Sequence, residues 1–161
     1  MAADSVEREI LIEASPEIVW GVITEPDQIS RWFSDEADVE GRAGADGTLT
    51  WRPGGRGGDK EFDAVVPIRV VEAEPFHRFS FRWNHPQAAD PDESNSALVE
   101  FTLVEEAGGT RLRVLESGID TVTHDAEGET RYRESHERGW EKHLGELLDY
   151  VASKSRGATR R

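Results

Sequence analysis

The chain has 161 residues, of which 36% are hydrophobic and 32% charged, with a formal net charge of -14 and no cysteine. That acidity excludes the backbone of a nucleic acid and an anionic membrane surface as partners, and the missing thiols exclude disulfides and thiolate chemistry. The N-terminus lacks a basic-plus-apolar leader pattern and no run approaches the ~20 apolar residues of a membrane span, so a cytoplasmic protein is expected.

Val6 to Glu13 alternates and predicts a first strand. Ser15 then stands where a helix N-cap is wanted and Pro16 where a first helical residue is wanted. Ile18, Val19, Val22 and Ile23 follow at helical spacing, which predicts a short helix over 16–24. Pro26 ends it, and Asp27 to Phe33 reads as a second short helix closing on Arg31, Trp32 and Phe33.

From Asp35 to Glu116 the period changes to two. Leu49 and Trp51 share a face, as do Phe62, Ala64, Val66, Ile68 and Val70, and then His77, Phe79, Phe81 and Trp83. Val99, Phe101 and Leu103 form the next row, and Leu112 and Val114 point inward from the last strand, Arg111 to Glu116. Short turns between such strands predict an antiparallel meander with one buried face. The glycine-rich stretch Arg52 to Lys60 lacks the Gly-Lys-Ser/Thr ending of a phosphate loop and reads as a hairpin tip, and His85 to Asn95 reads as a solvated loop.

A long helix is expected from about Glu129 to Ser153, on the order of 35–40 Å at 1.5 Å per residue. Trp140, Leu144, Leu147 and Val151 lie on one line of it, with Leu148 beside them, and the line continues back through Arg133, flanked by His136 and Glu137. Such a helix closes a core at one end and roofs a polar-tinted pocket at the other. Residues 1–153 are thus expected to form one domain and 154–161 a disordered basic tail.

The large rings Trp32, Phe33, Trp51, Phe62, Phe81, Trp83 and Trp140 are expected to line an open cavity, since pockets are mostly apolar with a few placed polar groups. Those polar groups are expected to be Arg133, His136 and Glu137, with an Arg133–Glu137 pair orienting a ligand and His136 carrying a proton. Gly139 is expected to make room for close packing beside Trp140. The histidines at 77, 85, 124, 136 and 143 show no metal-ligand spacing, His77 reads as a core histidine, and no Gly-x-Ser-x-Gly elbow occurs. No metal or cofactor is expected.

The wording Ala14-Ser15-Pro16-Glu17-Ile18-Val19-Trp20, then Thr24-Glu25-Pro26 and Arg31-Trp32-Phe33, resembles the opening of the bacterial proteins similar to the activator of the 90-kDa heat-shock-protein ATPase. Gly139-Trp140 followed by Leu144, Leu147 and Tyr150 is similar to that family's close, so the resemblance covers roughly residues 6–152. The family belongs to the START-like (SRPBCC) superfamily, which also holds polyketide cyclases and lipid carriers. The resemblance implies an α+β helix-grip fold: a seven-stranded antiparallel sheet curved around a long C-terminal helix, with two short helices after strand 1 and a cavity between sheet and helix. It brings no catalytic residue with it. A binder of a small apolar, aromatic or lipid-like molecule is the leading expectation. A cyclase- or aromatase-type enzyme with His136 as proton carrier, and an interaction module whose acidic surface meets a basic protein, are the alternatives. A monomer or a homodimer suits any of them.

Overall fold

A computed structural model describes residues 5–55, 61–84, 90–123 and 125–159, with side chains described as far as residue 154. Strand β1 (Val6–Ile12) is followed by α1 (Pro16–Thr24) and α2 (Pro26–Ile29). Strands β2 (Glu36–Asp38), β3 (Asp46–Trp51), β4 (Ala64–Glu74), β5 (Arg78–Trp83), β6 (Ala97–Glu106) and β7 (Gly109–Ser117) come next. A single 3-10 turn (Ile119–Thr121) then leads into the long helix α3 (Ala126–Thr159).

The two short helices begin where the sequence puts them. The Ser15 hydroxyl accepts from the Ile18 amide at 3.3 Å, Pro16 opens α1, and Glu17 places a negative charge in its first turn. α2 is shorter than the expected run to Phe33. Beyond Ile29 the chain continues as turns that bury both Trp32 and Phe33. The indole of Trp32 donates to the Val22 carbonyl at 2.9 Å, which ties this turn back onto α1.

All seven strands pair antiparallel in the order β1-β7-β6-β5-β4-β3-β2. The chain's first strand therefore returns to the sheet beside its last, with Val6 opposite Glu116 and Ile12 opposite Thr110. Gly109 allows that closure, since a Cβ there would collide with the Ile12 carbonyl. The inward faces read Val66, Ile68, Val70; Phe79, Phe81, Trp83; Val99, Phe101, Leu103; and Leu112, Val114. Against them lie Val19, Val22 and Ile23 of α1 and Trp140, Leu144, Leu147 and Val151 of α3. Each such side chain contributes ~1.5–3 kcal/mol on burial, and this is what holds α3 on the sheet through its C-terminal half.

Two inward assignments fail. The row expected from Phe62 to Val70 begins at Ala64, where β3 and β4 stop pairing at Trp51, and Phe62 lies beyond the ladder with 78% of its surface exposed. Among the described residues no strand lies opposite it, since the β3–β4 ladder ends at Trp51 and Ala64. His77 sits exposed in the β4–β5 turn, after Phe76 at φ 72, so the inward row of β5 starts at Phe79. α3 starts at Ala126 and runs through Thr159, longer at both ends than the sequence pattern suggests, and takes in most of the expected tail. The tips of the β3–β4 and β5–β6 connections, and His85 and His124, lie outside the described residues.

Candidate functional site

The inward alternation of β7 does not stop at Val114. It continues to Glu116, whose side chain is 0% exposed. An isolated carboxylate in an apolar interior would be prohibitively unfavourable, so it must be neutralised or fully hydrogen-bonded. Here it is fully bonded. Oε1 accepts from Trp140 Nε1 at 2.9 Å and from His136 Nδ1 at 2.8 Å. Oε2 accepts from Trp83 Nε1 at 2.8 Å and from the Tyr132 hydroxyl at 2.5 Å.

Helical spacing makes this possible. Tyr132, His136 and Trp140 are four residues apart, so three donors project from one face of α3 onto one point, and Trp83 completes the set from the end of β5. Burial pushes the Glu116 carboxyl up, but the bond from His136, the imidazole's charge, and the bonds from Tyr132 and Trp140 outweigh it and hold the group below its ordinary value. The Tyr132 phenol moves the opposite way: burial, then the charge of Glu116 and the bond to it, push its ionisation far up, so it stays a donor.

His136 joins this buried centre to the surface, its side chain 28% exposed. An ionised carboxylate only accepts, so the Nδ1 facing it carries the hydrogen, and in the neutral ring Nε2 is then a free-electron-pair acceptor. The ring is clamped in place. It stacks on Tyr132 with centroids 3.9 Å apart and planes 16° apart, and meets Trp83 edge-on at 5.7 Å.

The expected aromatic residues, Phe62 apart, do converge. Phe33 is the hub: it stacks on Trp32 at 5.0 Å, Trp140 at 5.3 Å and Trp83 at 5.9 Å, and Trp51 and His143 meet it edge-on at 5.2 and 5.1 Å. Phe81 packs edge-on against Trp83 at 5.4 Å. All six are buried in the core. Among the described residues the void beside Phe33, Phe81 and Phe101 measures about 10 Å³, which is one water probe at most. Each of these six rings has another ring as its neighbour. An open cleft of about 370 Å³ lies elsewhere, against the edge strand β2, and includes Asp27, Asp35, Glu36 and Asp38 but none of the expected site residues.

Of the expected polar groups, His136 is at the centre. Glu137 faces β1 instead, 3.9 Å from Arg8, and Arg133 is half-buried one position beyond Tyr132. Glu116 and Tyr132 were not singled out by sequence reasoning. Their signals were present: an acid in phase with Leu112 and Val114, and a Tyr-x-x-x-His-x-x-x-Trp spacing that ends on the apolar stripe. Gly139 lies between His136 and Trp140, but a Cβ on it would meet nothing within 4 Å, so it makes no close packing contact.

A profile of the family described as Activator of Hsp90 ATPase homolog 1-like protein matches residues 13–152. No curated protein sequence matches the chain. Among solved structures, the chain is similar to DynU16, a protein of the dynemicin biosynthetic locus, at 23% identity and a TM-score of 0.72. The match covers 94% of this chain and 48% of that one, so this chain spans about half the length of DynU16. It is similar to protein MLL2253 from Mesorhizobium loti at 23% identity and a TM-score of 0.72, covering 93% of this chain and 97% of that one. The Aha1 dimer from Colwellia psychrerythraea shares 22% identity at a TM-score of 0.66, with 91% and 95% coverage. At such identities these likenesses establish the fold, and the helix-grip architecture is common to the set. Among the described residues no helix is long and apolar enough to cross a membrane.

Proposed function

Because the chain belongs to the Activator of Hsp90 ATPase homolog 1-like family, we propose that it binds a small, flat, aromatic molecule at the mouth of its aromatic core, with His136 as the polar anchor. The observation that carries this reading is the buried Glu116, held by four donors while fixing the orientation of one partly exposed imidazole. A buried ionic centre is weak as a source of stability, and well-packed apolar residues in its place are often as stable or more so. Its use is to hold His136 in one orientation at an aromatic edge. The combination of apolar walls and one or two fixed polar groups is the composition of a small-molecule site. The void beside Phe33, Phe81 and Phe101 measures only about 10 Å³, so the ligand is placed at the His136 and Trp83 edge rather than in that void.

Thermal melting against a panel of neutral phenols, flavonoids and fatty acids tests the proposal. A ligand at one hundred times its dissociation constant adds ~2.7 kcal/mol, which raises the melting temperature by several degrees. The expected result is a rise with aromatic compounds that disappears in His136→Ala. A rise confined to fatty acids, or one unchanged in His136→Ala, contradicts it.

A further inference from the structure

We infer that Glu116 and His136 form a proton-transfer site for neutral carbon acids, molecules whose reacting C–H lies between two carbonyl groups. The inference rests on the binding site proposed above and adds a reaction to it.

The roles follow from which lone pairs and hydrogens remain available. Both oxygens of Glu116 are taken by Trp83, Tyr132, His136 and Trp140, and the side chain has no exposed surface, so it cannot itself reach a substrate. It is a positioning residue. It holds the hydrogen on Nδ1 of His136 and stabilises the imidazolium that forms when Nε2 accepts a second proton, as a buried carboxylate does for the histidine of a hydrolytic triad. The stacked Tyr132 ring at 3.9 Å and the Trp83 edge at 5.7 Å keep Nε2 aimed in one direction. A general base needs this orientation before anything else.

The same hydrogen bonds restrict the substrate. Each of the Trp83 and Trp140 indoles and the Tyr132 hydroxyl has a single hydrogen, and each gives it to Glu116. None of the centre's own donors is left to stabilise an oxyanion, a contribution worth roughly 3–4 kcal/mol in acyl transfer. A substrate suited to this site therefore spreads its own negative charge, as a carbon flanked by two carbonyls does. It is also neutral on arrival, since the chain's net charge of -14 and the buried carboxylate both repel an anion.

The step balances without a co-reactant. Nε2 takes the proton from the central carbon, the C–H electron pair becomes the carbon–carbon π bond, and one carbonyl π pair moves onto oxygen. The imidazolium then returns the proton to that oxygen, giving the enol and the neutral ring.

The test uses 1-phenylbutane-1,3-dione in deuterated buffer, with deuterium uptake at the central carbon followed by proton NMR and binding followed by tryptophan fluorescence. The expected result is uptake at least tenfold faster than with the same concentration of free imidazole. His136→Gln should return it to the control rate and weaken the quenching, and Glu116→Gln should lower the rate about tenfold. His136→Gln leaves three donors on Glu116, so the comparison does not hang on the folding of the Glu116 variant. Nitrogen-15 spectra of the wild-type protein, taken at a pH where the His136 ring is neutral, should show its hydrogen on Nδ1. Quenching with a His136→Gln rate equal to wild type, or a ring protonated on Nε2, overturns the proton-transfer site while leaving the binding site standing. No quenching and no acceleration overturns both for this class of molecule.

Discussion

The hydroxyl of Tyr132 donates to Oε2 of Glu116 over 2.5 Å, joining the early turns of the long helix to the last inward residue of β7. Three of the four donors to that carboxylate come from α3. The helix is thus held on the sheet by two different means: charge-assisted hydrogen bonds toward its N-terminal end and the Leu144, Leu147 and Val151 stripe toward its C-terminal end. The first is directional and the second is not, which is why only the first can set the angle of a functional ring.

Removing the carboxylate should therefore be severe. Glu116→Ala leaves two indoles, a phenol and an imidazole without their acceptor, and breaking such a buried ionic centre destabilises by ~3–5 kcal/mol. Urea unfolding followed by tryptophan fluorescence measures it, and a loss below ~1 kcal/mol is inconsistent with the centre described here.

The acid side of the stability curve should carry the mark of the same group. The folded carboxyl of Glu116 lies below its ordinary value of 4.5, so in that window the unfolded chain binds more protons than the folded one. Its contribution is complete above about 4.5 and is lost as the pH falls through the lower, folded value. Asp92 and Glu106 are also lowered, the first chiefly by its bonds to Ser94 and the second by Arg111, but Asp92 is exposed and Glu106 only partly buried, so solvent screens both. Melting temperatures from pH 7 to pH 3 should fall more steeply in wild type than in Glu116→Gln. Parallel curves would remove Glu116 from the acid response.

Gly139→Ala should stabilise the protein. The residue is helical, a Cβ there meets nothing within 4 Å, and glycine in a helix interior is worse than alanine by ~1 kcal/mol. A gain of ~0.5–1 kcal/mol in denaturant unfolding is expected. A loss would restore the close approach of another element that the sequence alone suggested.

Phe62 and Phe81 should separate cleanly. Phe62→Ser removes an exposed ring beyond the β3–β4 ladder and should shift stability by no more than ~0.5 kcal/mol. Phe81→Ala empties a site packed between Phe79, Trp83 and Phe101 and should lose ~3–5 kcal/mol. Equal effects would mean that Phe62 is packed after all.

Much of this was legible in the chain itself. Alternation from Leu49 to Val114 and the 3.6-residue line through Trp140, Leu144, Leu147 and Val151 depend on local periodicity, and both reappear as buried faces. Ser15 and Pro16 mark the start of α1 because capping involves only neighbouring residues. His136 could be picked out as the titratable group beside the apolar stripe.

What the sequence by itself determined, then, was the order of the elements and, Phe62, His77 and Glu116 apart, which residues of the strands and of α3 face inward. Whether Phe62 had a strand beside it, whether the rings enclosed a space or filled it, and which group His136 would meet were decided only by tertiary structure. Those outcomes depend on registers and distances between segments far apart in the chain. Glu116 shows the difference most plainly: it is 16 residues from Tyr132 and 33 from Trp83, and only the docking of α3 across β5 and β7 brings their donors to one carboxylate. An acid on an inward face is a liability until that packing exists, and afterwards it is what holds the imidazole in place.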